Sequence, residues 1–268
     1  MKQHLIVLDL DGTLLTDQQK ISPYTKETLL KAKAAGHAVM IATGRPYRAS
    51  DIYYRELGLT TPIVNFNGAF VHHPKDSSWT PLHSPISMSV VHDVVDSVDK
   101  YHYENLIAEV IDDVYLHTDD ERMLNILSMG NPRVTTGNLK LNLLDDPTSL
   151  LIQATDANVP IIRQHLEAVH AELIEHRRWG SPFNVVEIVR KGLNKAVGIS
   201  HIAHEMQIPR DRIIAFGDED NDLEMLDYAG IGVAMNNGID ELKKVANEIT
   251  LSNNEDGIGK FLAERLKL

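Results

Sequence analysis

Two aspartates one residue apart, Asp9 and Asp11, follow the apolar run Leu5–Leu8 in "LIVLDLDGTLL". Like charges so close repel, and desolvating either is costly, so the pair calls for a compensating cation or a chemical use. Two other stretches carry similar groups. "ATGRPY" offers the Thr43 hydroxyl, a backbone that Gly44 lets approach a ligand, and Pro46 preset for the start of a helix. Free N–H groups at such a start attract anions. "GDEDNDLEM" places Asp218 and Asp222 four residues apart, with Asn221 between them. A carboxylate cluster in a chain without cysteine favours a hard cation, Mg²⁺ above others. Lys195 would supply the positive charge that an anionic ligand needs besides the metal. Each stretch also has a plain structural reading. Thr43 could simply cap a helix, the acids of 218–222 could serve a helix N-terminus, and a lysine near a helix start is usually solvated.

These residues need strands to carry them to one place. "LIVL", "HAVMIAT" and "PIVNF" read as strands, separated by helices over "SPYTKETLLKAKAAG", which Ser22 can cap, and "RPYRASDIYYRELGL". Asn67-Gly68 is a turn signal. Near the C-terminus the rhythm returns: a helix from candidate cap Asn194, the strand "RIIAFG", a helix at "DNDLEMLDYAG", the strand "IGVAM", the helix "GIDELKKVA", an edge strand "EITLS" and a last helix. Alternating strands and helices with apolar strands predict an α/β fold with a doubly wound parallel sheet. Ligands bind such sheets beyond the carboxyl ends of the strands, where Asp9, Asp11, Thr43 and Asp218 all fall. The middle mixes long helical patterns with alternating strands such as "VYLHT", "LLIQAT" and "NVVEIVR". It reads as an inserted α+β domain over 83–190, between core parts 1–82 and 191–268.

The chain has 268 residues, and its 38 acidic against 26 basic residues give a formal charge of −12. That sign disfavours nucleic acid as a partner. No apolar run nears the roughly 20 residues of a membrane span, and "MKQHLIVLD" reads as a first strand rather than a signal peptide. Absence of cysteine excludes disulfides and fits a cytoplasmic protein. His72-His73 beside Pro74 reads as an exposed turn.

Together, "DLDGT" at Asp9–Thr13, "TGR" at Thr43, Lys195 and "GDEDND" at Gly217 resemble, in order and spacing, the four motifs of the haloacid dehalogenase superfamily of phosphatases. About 30 residues separate the first two motifs, and about 150 the second and third, so the insert resembles a type 2 cap. "NFNGAF", "VVEIVRKGLNKAVGI" and "NEITLSNNEDGIGKFL" resemble the Cof-type, subclass IIB, sugar-phosphatase-like group. The resemblance implies Asp9 as nucleophile and Asp11 as acid and base. It implies Mg²⁺ held by Asp9, the Asp11 carbonyl and Asp218, with Asp222 in support. Thr43, Lys195, Asn221 and the amides around Leu10 and Gly44 would hold the phosphoryl group. Arg45, Phe183 and Glu187 are candidates for substrate specificity, although Phe183 and Val185 also fit the core of a cap strand. The expected activity is hydrolysis of a small phosphate ester by a monomer or homodimer. Sugar phosphates lead; a flavin-pathway intermediate, FMN or pyridoxal phosphate, or phosphotransfer to a sugar hydroxyl, are the alternatives.

Overall fold

The computed structural model describes residues 2–178 and 184–268. Two units emerge: Met1–Arg45, Ser50–Pro81 and Asn194–Leu268 form the first; Pro46–Ala49 and Leu82–Leu193 form the second.

In the first unit the elements run β1 (Leu5–Leu8), α1 (Pro23–Ala34), β2 (Ala38–Ile41), α2 (Tyr47–Glu56, its first turn in the other unit), β3 (Ile63–Asn65) and β4 (Phe70–His72). All four side chains of β1 are fully buried, as a strand covered on both faces requires. Ser22 caps α1 by accepting from the Thr25 amide at 3.2 Å. β3 does not continue the main sheet. It pairs antiparallel with β4 through a turn at Phe66–Gly68 and is joined to β2's side by a bridge from Val64 to Ala42. Phe66, Asn67 and Gly68 all have positive φ there, so the Asn-Gly signal marks a hairpin. His72 is not in an exposed turn: it belongs to β4, half-buried, its ring stacked on Phe70 at 4.6 Å.

The second unit contributes β5 (Leu82–His83), α3 (Met88–Asp96), α4 (Val98–Tyr101), β6 (Asn105–Val110), β7 (Asp113–Leu116), α5 (Glu121–Leu127), β8 (Val134–Thr136), α6 (Leu139–Asn142), β9 (Ser149–Gln153), α7 (Val159–His170), β10 (Ile174–Arg178) and β11 (Val185–Arg190). Six of its strands form a sheet ordered β10-β11-β9-β6-β7-β8, antiparallel except for β7 with β8. Val90, Val91 and Val94 of α3 and Ile162 and Leu166 of α7 pack on one face with Leu150, Ile152, Val186 and Ile188. Met123 and Leu127 of α5 pack with Ile107, Leu151 and Val185. Val185 is therefore core. Arg48 and Glu109 form a buried ion pair in this unit, and Glu109 also accepts from Ser149.

The chain then returns to the first unit with α8 (Lys195–Glu205), β12 (Ile213–Gly217), α9 (Leu223–Tyr228), β13 (Ile231–Ala234), α10 (Asp240–Val245), β14 (Glu248–Ile249) and α11 (Gly257–Leu266). The main sheet is wholly parallel in the order β14-β13-β12-β1-β2, with β14 at its edge. Leu5 and Val7 join Ile199 and Ile202 of α8 in the core on one face. Phe216 meets Phe261 of α11 edge-on at 5.4 Å. The first unit is the doubly wound α/β core that alternation predicts, and the second is the α+β insert that the resemblance identifies as a cap.

Candidate active site

The sheet register determines which residues meet. Leu8 pairs with Phe216 on one side and Ile41 on the other. Asp9, Thr43 and Asp218 therefore leave adjacent strands at the same carboxyl edge. Asp9 still donates its N–H to the Phe216 carbonyl at 3.2 Å, which holds its Cα against β12.

Beyond Asp9 the chain turns sharply at Gly12, whose φ is +71°. A Cβ there would lie 2.1 Å from Asp218 Oδ2, so glycine is required both by conformation and by space. Thr13 donates its hydroxyl to Asp218 Oδ1 at 2.6 Å. Asn237 donates to the Gly12 carbonyl at 2.8 Å. The loop after Asp9 is thereby tied to Asp218 through Thr13 and to Asn237 through Gly12.

Lys195 opens α8, with Asn194 capping the helix by accepting from the Val197 amide. It is not solvated. Its side chain is 0% exposed, and Nζ donates to Asp9 Oδ1 at 2.5 Å and to Asp222 Oδ1 at 2.7 Å. Asp222 is equally buried, and its Oδ2 accepts the amides of Asp218 and Glu219 at 2.9 and 3.2 Å. Asp222 thus orients Lys195 and shapes the loop that presents Asp218. Burial alone would drive the lysine to neutrality, but the carboxylates of Asp222 and Asp9 outweigh it and raise its pKa. One ammonium cannot offset everything acting on Asp9. Burial, with Asp222 and Asp218 beside it, pushes that carboxyl well above its usual range despite Lys195. Burial likewise lifts Asp218 to about 7, against the Thr13 hydrogen bond and with help from Asp222.

Asp9, Asp218 and Asp222 offer carboxylate oxygens within 4.8 Å of one another, all buried. Three carboxylates against one ammonium leave a formal excess of about two negative charges in low dielectric. Hard oxygen donors with that surplus fit a divalent cation. The Asp11 carboxyl lies outside this group. Arg45 Nε donates to its Oδ2 at 2.7 Å and Nη2 to its Oδ1. Burial would raise the Asp11 pKa, but the hydrogen bonds and charge of Arg45 prevail and lower it.

Thr43 is buried, and its hydroxyl accepts from the Arg45 amide at 3.1 Å. It closes a local turn rather than capping α2, which begins at Tyr47. Asn221 donates to Asn67 Oδ1 at 3.0 Å, and a Cβ on Gly44 would lie 3.2 Å from Asn67. Thr43, Gly44, Asn67 and Asn221 are thus neighbours. Leu10 is fully buried, so only its backbone can serve a ligand. Glu187 lies half-buried in β11 of the cap. Phe183 lies outside the described residues.

Sequence reasoning missed Thr13, Asn67, Asn237 and Gln19, whose Oε1 accepts from Arg45 Nη2. Thr13 was in view, in "DLDGT" directly after the acids, where a hydroxyl can steady a carboxylate. Asn67 read only as a turn former, and nothing local distinguishes Gln19 or Asn237.

The sequence profile of the haloacid dehalogenase-like hydrolases matches residues 6–262. Over 267 residues the chain is 54% identical to 5-amino-6-(5-phospho-D-ribitylamino)uracil phosphatase YitU of Bacillus subtilis, covering 100% of this chain and 99% of that one. It is 29% identical over 282 residues to pyridoxal phosphate phosphatase YbhA of Escherichia coli, covering 99% and 100%. Its fold matches the crystal structure of a haloacid dehalogenase-like hydrolase from Bacteroides thetaiotaomicron with a TM-score of 0.87 at 26% identity, covering 99% and 100%. The chain belongs to the haloacid dehalogenase-like hydrolases. Within them it is a Cof-type phosphatase, a phosphoric monoester hydrolase acting on small phosphorylated substrates. No helix among the described residues is long and apolar enough to cross a membrane.

Proposed function

We propose that this cytoplasmic enzyme removes phosphate from 5-amino-6-(5-phospho-D-ribitylamino)uracil, a flavin-pathway intermediate, with Mg²⁺ as cofactor. The observation that carries the substrate is the 54% identity, over the whole chain, to a phosphatase named for that compound. It ranks the flavin-pathway reading above free sugar phosphates. The two are chemically close, because the reacting end of the compound is a primary alkyl phosphate on a reduced sugar.

The site supports a two-step displacement. A carboxylate oxygen of Asp9 attacks phosphorus, and the P–O bond to the ribityl oxygen breaks. The departing alkoxide takes a proton from the Asp11 carboxyl. In the second step Asp11, now a carboxylate, accepts a proton from water as that water attacks phosphorus. Phosphate leaves and Asp9 is restored. Ionised Asp11 in the resting site needs a proton for the first step. The ester can bring it, since a phosphate monoester's second ionisation lies at about pH 6. Lys195, Thr43, Asn221 and the amides near Leu10 and Gly44 neutralise and place the phosphoryl oxygens. Asp9, Asp218 and the Asp11 carbonyl would hold Mg²⁺, with Asp222 in support. When bound, the ion supplies positive charge against the transferring group.

Release of phosphate from the ribitylaminouracil ester should exceed that from free sugar phosphates and pyridoxal phosphate by about tenfold or more in kcat/KM, and should vanish with EDTA. A preference for sugar phosphates would overturn the substrate.

A second expectation needs no turnover. Asp9 and Asp218 have folded pKa values above the unfolded ones. Between about pH 4 and 7 the cation-free fold therefore holds more protons than the unfolded chain, so its stability falls as pH rises. For Asp218 the penalty is on the order of 4 kcal/mol at most. A cation relieves it by favouring the ionised carboxylates. Mg²⁺ should thus raise the melting temperature more at pH 8 than at pH 5.5. An equal shift at both pH values would contradict this assignment.

A further inference from the structure

Asp11 is exposed on a turning loop, its side chain 51% accessible, and a free carboxylate there would sample several rotamers. Arg45 prevents this. Its two donors engage both carboxylate oxygens, the planar fork that fixes a carboxylate's orientation. Gln19 also hydrogen-bonds this carboxyl, and what is left of its roughly four acceptor sites is open for proton transfer. An exposed ion pair would impose little order, but the Arg45 side chain is only 15% exposed and is itself held. Nη2 also donates to Gln19 Oε1, and the guanidinium lies 5.7 Å from the Tyr53 ring centroid. Tyr53 donates its hydroxyl to the Gln19 carbonyl at 3.1 Å. The Arg45 backbone is fixed as well: its carbonyl accepts from the Asn65 side chain at 2.9 Å and the Phe66 amide at 3.3 Å.

Gln19 stands in a small hairpin closed by the Leu15–Ile21 bridge, with φ +58°. That hairpin is tethered to the C-terminal stretch "SNNEDG", which the reaction itself does not use. Asn253 donates to Asp17 at 3.1 Å and to the Leu15 carbonyl at 2.9 Å, and Asn254 accepts from the Asp17 amide at 3.1 Å. A continuous set of contacts therefore runs from Asn253 through the hairpin and Gln19 to Arg45 and Asp11.

We propose that Arg45, braced by Gln19 and Tyr53, is the positioning residue for the Asp11 carboxyl rather than a residue that selects substrate. The proposal rests on the phosphatase reading above and adds to it the residue that sets the acid's orientation. Misplacing a proton donor by an ångström costs on the order of 10²-fold in rate, and proton transfer contributes about 10²–10⁴-fold.

The test measures phosphate release by wild type, Arg45→Met, Gln19→Ala and Asp11→Ala, and by Arg45→Met combined with Asp11→Ala. The esters are ribitol 5-phosphate and 4-nitrophenyl phosphate, and the cycle is read with each ester that the wild type turns over. Arg45→Met should lower kcat by about 30- to 100-fold and move KM by less than about threefold. In the Asp11→Ala background it should cost less than about twofold, because the group it positions is gone. Gln19→Ala should reproduce the kcat pattern at about 3- to 10-fold and decides the matter if Arg45→Met does not fold. Losses in KM with kcat retained, or losses that multiply with Asp11→Ala, would overturn the proposal while leaving the phosphatase reading intact. A wild type that releases phosphate from no ester would overturn both.

Discussion

Asn in place of Asp9 should abolish phosphate release, by roughly four orders of magnitude or more, while making the cation-free protein more stable. The two effects share one cause. Asp9 is buried against the Lys195 ammonium but also beside Asp218 and Asp222, and burial followed by those two charges raises its pKa well above the ordinary carboxylate range. A carboxyl whose folded pKa is raised contributes a penalty that is absent below the unfolded value near 4 and complete above the folded one. Asparagine has the same shape, carries no charge and can still accept from Lys195. It removes the penalty and the proposed nucleophile together. Melting in EDTA at pH 8 should show a higher transition for the variant, and a coupled phosphate assay should show no turnover. Activity within tenfold of wild type would exclude Asp9 as the attacking group. A lower transition would mean that the ionised carboxylate stabilises the fold.

The opposite outcome is expected at Lys195. Its pKa is raised by Asp222 and Asp9 against burial, so its stabilising contribution persists throughout the pH range below its ordinary value and is not lost between pH 5 and 9. Methionine fills similar volume but leaves the buried carboxylates of Asp9 and Asp222 with no cation beside them. Removing one partner of a buried pair costs about 3–5 kcal/mol, a drop in the melting transition on the order of 10 °C. The loss should be measured in EDTA, and Mg²⁺ should restore part of it by taking over the charge balance. Turnover should fall by about 10²- to 10³-fold even with saturating Mg²⁺, since a preorganised positive charge on the phosphoryl oxygens is gone. A Lys195→Met protein as stable as wild type without cation would show that the buried carboxylates do not depend on the ammonium.

The parts of this fold that a sequence can announce are those set by local pattern. The unbroken apolar runs of β1 and β12 declared buried parallel strands, and the acids directly after them could only stand at the sheet's carboxyl edge. Lys195 shows where local pattern stops. At a helix start a lysine reads as solvated, and its complete burial follows from the charge of Asp9, 186 residues away in sequence. Arg45 read as a candidate for substrate specificity, while the partners its side chain meets are Asp11 and Gln19, 34 and 26 residues distant. The periodicity of "PIVNF" gave a strand without naming its neighbour, and the positive-φ turn at Phe66–Gly68 turned it into a hairpin. The substrate was the least legible feature, because phosphate chemistry is written in the core motifs while the rest of the ligand is read by residues with no fixed spacing.

Whether Asp9 carries the phosphoryl group is read by stopping the reaction in acid within a single turnover, using substrate labelled in its phosphate, and mapping the label by peptide mass spectrometry. A base-labile phosphoryl group is expected on the peptide carrying Asp9, formed and lost at rates compatible with kcat and missing from Asp9→Asn. Phosphate released in full while Asp9 never carries label, or label settling on another side chain, would contradict it.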